Sequence, residues 1–167
     1  MRKNLFFIAS CMMLLFAAGC TEEADELQPA NPQKPNTETT ITGNQSKPSW
    51  AVPEDYDMTS SMTTIVKVDL SLTYPDQVAA LKEKVLNEGD VLAAFDGNTC
   101  IGVAELTDNL FFLYITSPAS EDNQVAIRYY SATLKNIFVA QETITFSNDA
   151  HIGSVSEPFA PKFVVAK

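Results

Sequence analysis

The side chains that do chemistry in enzymes are few in this chain, and they are poorly spaced for it. The single histidine, His151, stands in Ser147-Asn148-Asp149-Ala150-His151, which reads as a polar turn. Asp149 and His151 offer two members of a hydrolytic triad. The third would be an exposed Ser from elsewhere, and no G-x-S-x-G turn supplies one. Cys100 lies in an apolar stretch, where a thiol behaves as a small hydrophobe. Thiolate reactivity needs a positive environment, which an acidic chain does not obviously provide. One His and one free Cys fall short of the four ligands of a zinc site. Asp96-Gly97-Asn98, Asp108-Asn109, Glu121-Asp122-Asn123 and Asn148-Asp149 carry hard oxygen ligands that suit calcium. The same residue types are what turns use, and no twelve-residue calcium loop is present. No catalytic residue, metal or cofactor is therefore assigned, and the protein reads as a binder and not an enzyme.

The remaining resource is aromatic. Trp50, Tyr56, Tyr74, Tyr114, Tyr129 and Tyr130 could supply a stacking platform for sugar rings or anchors for a protein partner. Ring faces suit the C–H faces of sugars, while acidic and amide loops accept hydroxyl hydrogens. Trp50, Tyr56 and Tyr130 are the candidate binding residues. Alternation along Val125 to Tyr130 puts Tyr129 and Tyr130 on opposite faces, so at least one of them is expected at the surface.

Composition narrows the partners. The 167 residues include 11 Lys plus Arg and 21 Asp plus Glu, for a net charge of −10. Phosphate binding needs clustered cations, and none is present, so nucleic acid is excluded. Electrostatic docking on anionic lipid is excluded for the same reason.

The N-terminus is a targeting segment. Arg2 and Lys3 precede an apolar run from Leu5 to Ala18, 14 residues long. That is short of the roughly 20 residues a spanning helix needs, and it fits a secretory signal. The run ends in Phe16-Ala17-Ala18-Gly19-Cys20, which resembles the lipobox of bacterial lipoproteins. The alternative is an ordinary signal peptide with an incidental Cys. The resemblance implies cleavage after residue 19 and acylation of Cys20, including palmitate, so that the protein meets the membrane through an N-terminal lipid. Loss of Arg2 and Lys3 leaves 9 basic against 21 acidic residues, a net charge of −12. It also leaves Cys100 as the one unmodified thiol, so no intramolecular disulfide is available and stability must come from a core.

Residues 20–49 read as the lipidated Cys and a disordered tether. Pro29, Pro32, Pro35 and Pro48 punctuate a stretch whose only large apolar side chains are Leu27 and Ile41. Such a segment buries too little to offset its ordering entropy. It opens with Cys20-Thr21-Glu22-Glu23-Ala24-Asp25-Glu26, an acidic run similar to the surface-export signal of Bacteroidota-type lipoproteins. That resemblance implies an outer-membrane protein displayed to the outside.

From Trp50 to Lys167 the pattern has period two, the signature of half-buried strands. Thr64, Val66, Val68, Leu70, Leu72 and Tyr74 share one face of an expected strand from Met62 to Tyr74. Asp96-Gly97-Asn98 between two apolar runs is a strong hairpin signal. Leu110 to Ile115 is apolar throughout and reads as a central strand covered on both faces. Further strands are expected at Val125 to Tyr130, Ile137 to Ala140, Thr143 to Phe146 and Lys162 to Val165. Asp76 to Leu86 places Val78, Leu81 and Val85 at helical spacing, with Asp76 placed to cap the first turn. The fold class is all-β, an Ig-like or jelly-roll type antiparallel β-sandwich with one short helix, in a single domain over residues 50–167.

Trp50, Tyr56, Ser61-Met62-Thr63, Ala93-Ala94-Phe95-Asp96-Gly97, Cys100-Ile101-Gly102-Val103-Ala104 and Gly153-Ser154-Val155-Ser156-Glu157-Pro158 together resemble a small β-sandwich module of secreted and surface proteins of Bacteroidota and related bacteria. That module carries no agreed biochemical activity. An Arg usually follows its Cys, and here the position is Ile101. The function expected is a lipid-anchored surface module that binds a glycan. The alternative is an adhesion or interaction lipoprotein whose partner is an envelope protein.

Overall fold

The computed structural model describes residues 40–56, 58–117 and 123–167. The expected signal peptide, the acylated Cys20, the tether up to residue 39 and the Glu121-Asp122 pair lie outside them. The fold is all-β, as expected. Among the described residues the strands are β1 (Ser60–Val66), β2 (Val91–Asp96), β3 (Thr99–Thr107), β4 (Leu110–Ser117), β5 (Gln124–Ser131), β6 (Asn136–Ala140), β7 (Ile144–Thr145), β8 (His151–Ile152) and β9 (Phe163–Val165).

The strands form one curled sheet in the order β8-β1-β4-β3-β2-β5-β6-β9, with β7 beside β5. Long β3 joins the halves, pairing with β2 on one side and with β4 on the other. All pairs are antiparallel except β1 with β8, and a parallel bridge from Val66 to Phe159 continues that seam. The inner faces of the two halves meet in one core: Met62, Phe111, Leu113 and Ile115 from one, and Leu92, Ile127, Tyr129, Phe138 and Phe163 from the other.

Tyr129 is the hub of that core. Its ring centroid lies 5.9 Å from each of Phe111, Phe138 and Phe163. A buried tyrosine needs a partner for its hydroxyl. Here the hydroxyl donates to Asp90 Oδ2 at 2.6 Å. Asp90 is itself fully buried. It also accepts from the amides of Asn87 (3.0 Å) and Ala132 (2.8 Å).

The hairpin at residues 96–99 forms as expected, with Gly97 at φ +57°. Asp108 and Asn109 make a second tight turn, at φ 51° and 64°. Two other expectations are corrected. The strand beginning near Met62 stops at Val66. Asp69 then accepts from the Ser71 amide and caps a 3-10 turn over Leu70–Leu72, which turns Leu72 outward. The helix α1 spans only Pro75–Ala80. It starts one residue before Asp76 because Pro75 presets φ at the first helical position, and Tyr74 caps it without a side-chain hydrogen bond. None of its residues is fully buried, so little packing sustains a further turn, and Leu81 becomes extended. Val78, Leu81, Val85 and Leu86 still pack against the core, by an irregular path.

The domain also begins before Trp50. Ile41 is 3% exposed and belongs to the main core. Its carbonyl accepts from Asn136 Nδ2 at 3.0 Å, and its amide donates to Gln77 Oε1 at 3.2 Å. The Gly43 amide donates to Leu134 O and that of Gln45 to Lys135 O, both at 2.8 Å. A Cβ on Gly43 would sit 2.7 Å from Lys135 O, so only glycine permits this approach. Residues 41–45 are therefore a docked arm and not tether.

Ile41→Ala is expected to cost about 2–4 kcal/mol in urea unfolding of the full chain, as for a buried aliphatic truncated to Ala. Tyr129→Phe is expected to cost about 1.5–3 kcal/mol near neutral pH, since it removes a hydrogen bond to a buried carboxylate. Burial raises the Asp90 carboxyl, while the Tyr129 hydroxyl and the Ala132 and Asn87 amides pull it down. A raised folded value means Asp90 favours folding at low pH and loses that contribution as pH rises through its folded value. Removing the hydroxyl raises it further. The gap between wild type and Tyr129→Phe should therefore be widest above the raised folded values of both proteins, narrow as pH falls through them, and be smallest once pH reaches the ordinary Asp range of about 4. Unfolding curves at several pH values check this, and a pH-independent gap contradicts it.

Candidate binding face

The antiparallel pair β1–β4 sets opposite each other Thr63 and Tyr114, and Ile65 and Phe112. Parallel β8 adds His151 beside Thr63. Alternation sends Met62, Thr64, Val66, Phe111, Leu113 and Ile115 into the core, so the odd residues of β1 and the even residues of β4 face outward. Phe112 is 47% exposed and Tyr114 is 56% exposed. Two residues along a strand span about 7 Å, so the rings form a short row. Ile65 is half-buried beside them.

The row lies along a shallow depression of about 350 Å³ lined by Thr63, Thr64, Ile65, Phe112, Leu113 and Tyr114. Its rim is polar on one side, where Thr63 Oγ1 and His151 Nδ1 share a hydrogen bond. The strands beneath are fixed by Phe111, Leu113 and Ile115, all buried, so the exposed rings ride on a rigid support.

This open face corrects the expectation that Leu110 to Ile115 is covered on both sides. The arm and Trp50 cover part of the outer face of the other half, and among the described residues nothing comparable covers Phe112 and Tyr114. Of the expected binding residues, Trp50 packs edge-on against Phe95, with centroids 5.6 Å apart and an interplanar angle of 81°. Tyr56 is half-buried against the main core. Tyr130 is 5% exposed, and its hydroxyl donates to Gln45 O at 3.3 Å. The structure does not bring these three into one platform. The expectation that Tyr129 or Tyr130 reaches the surface fails because the arm covers the outer one.

His151 is exposed, and its hydrogen-bond partner is Thr63. The Asp149 carboxylate accepts instead from Asn148 Nδ2 at 3.1 Å. Cys100 is buried, and burial pushes its thiol up, away from the reactive thiolate. Among the described residues no group of three His, Cys, Asp or Glu is placed to hold a metal ion. Comparison of the chain with known families, characterised proteins and solved structures finds no match.

The double variant Phe112→Thr with Tyr114→Thr keeps β propensity and removes only exposed rings. Its unfolding free energy is expected to stay within about 1 kcal/mol of wild type, while its retention on a hydrophobic-interaction column falls. A large loss of stability would show that the rings are core.

Proposed function

We propose that the protein is a lipid-anchored, surface-displayed module that binds a glycan on the β1–β4 face. The observation that carries this reading is the exposed pair Phe112 and Tyr114 beside the polar rim of Thr63 and His151. An aromatic face stacks on the apolar face of a sugar ring, and rim hydroxyl and imidazole groups exchange hydrogen bonds with sugar hydroxyls. The short edge strands favour a face-binding mode. β8 has two residues and β9 three, too few to template a long added strand. The anchor rests on the resemblance of Phe16 to Cys20 to a lipobox.

Two measurements test the reading. On a glycan array, the detergent-purified full chain should bind a defined set of glycans. The Phe112→Ala, Tyr114→Ala double variant should lose at least about tenfold, since stacking of this kind carries more than 1 kcal/mol. Absence of any glycan signal, with reproducible capture of one envelope protein by the same face, would favour the interaction reading. Separately, labelled palmitate should enter the wild-type protein and not Cys20→Ser, and Cys20→Ser should leave the membrane fraction.

A further inference from the structure

The outer face of the other half holds a second, chemically different recess. Trp50, Phe95, Ala93, Cys100, Val103 and Ala126 form a small apolar cluster there. The Arg128 guanidinium lies over the Phe95 ring, 4.1 Å from its centroid. Arg128 also lines a groove of about 440 Å³ together with Gln45, Trp50, Ala126, Ile137 and Val139. Among the described residues no carboxylate lies within ion-pair distance of Arg128.

That arrangement is out of keeping with the rest of the chain. From residue 50 onward there are 16 acidic and 7 basic residues, so an Arg with no carboxylate partner among the described residues stands out against the charge of the domain. The Phe95 ring holds the guanidinium in place from one side, and no hydrogen bond to a described residue occupies its N–H donors. A planar fork of donors matches a carboxylate in bidentate geometry, which a point charge does not. The Trp50 indole and the apolar wall beside it suit a sugar ring.

From this geometry we propose that the Trp50–Arg128 groove is a binding site for a carboxylate-bearing sugar, a hexuronate residue of an acidic glycan. Arg128 takes the carboxylate and Trp50 packs on the ring. The site stands apart from the β1–β4 face and does not depend on it.

The test is titration calorimetry of the full chain with an oligogalacturonate and with the neutral galactose oligomer of equal length. The acidic oligomer should bind, and its neutral counterpart should bind at least about tenfold more weakly. Arg128→Lys keeps the charge and loses the fork, and it should weaken the acidic oligomer about tenfold or more. Arg128→Met should abolish binding with the melting temperature kept. Phe112→Ala with Tyr114→Ala should leave uronate binding unchanged, which separates this site from the other face. Equal affinity for both oligomers, no binding of either, or full binding by Arg128→Met would overturn the proposal. Should Arg128→Met unfold the protein, Trp50→Phe serves instead, with an expected loss of affinity for the acidic oligomer, and unchanged affinity overturns the ring-packing role.

Discussion

A tyrosine ring at the centre of a dry core brings a hydroxyl with it, and a buried hydroxyl without a partner is costly. Tyr129 meets that constraint by donating to Asp90, a carboxylate with no exposed surface of its own. Asp90 in turn is held by two backbone amides from opposite directions, Asn87 before β2 and Ala132 after β5. One side chain thus ties the irregular segment after α1, the entrance to β2 and the β5–β6 turn to the ring that Phe111, Phe138 and Phe163 surround. With no disulfide among the described residues, this network is the nearest thing the domain has to a staple. It carries specificity as much as energy: a shift of β5 by one residue would turn Tyr129 to the outer face and take its hydroxyl away from Asp90.

The same core has two unlike exteriors. Over β2, β5 and β6 the chain lays its own arm and Trp50, leaving a cationic groove at the margin. Over β1 and β4 it leaves aromatic rings in water. A monomeric domain tolerates scattered apolar side chains on its surface, but adjacent exposed rings on a flat, well-supported strand pair are a different matter. The two exteriors differ in chemistry, one presenting bare aromatic rings and the other an arginine beside an indole.

Much of the fold was legible because its signals are local. Gly97 between Asp96 and Asn98 writes a hairpin in three residues, and alternation within Val125 to Tyr130 assigns each side chain a face without knowledge of the partner strand. The site was legible only in kind. The sequence pointed to aromatic residues without saying which are exposed, and Tyr130 and Tyr114 exchange places: the first is covered and the second bare. What decides between them is the path of residues 41–50, a contact spanning some 90 positions in sequence, such as Ile41 with Asn136. A single isoleucine among polar residues gives no periodicity to read. Phe112 escaped for a related reason, since an unbroken apolar strand says that both faces are greasy and not which one is covered. The helix after Tyr74 was overextended because Val78, Leu81 and Val85 do point inward, yet by an irregular chain that mimics helical spacing.

The docked arm also decides how the domain meets mechanical load. A pull transmitted along the chain from the N-terminal side arrives at Ile41, and is borne by the bonds of Ile41 to Gln77 and Asn136 before those of Gly43 and Gln45 to residues 134 and 135. The strands lie behind that latch. Those few bonds are far fewer than the strand ladders behind them, so such a load peels the arm back toward Trp50 before it parts the sheet.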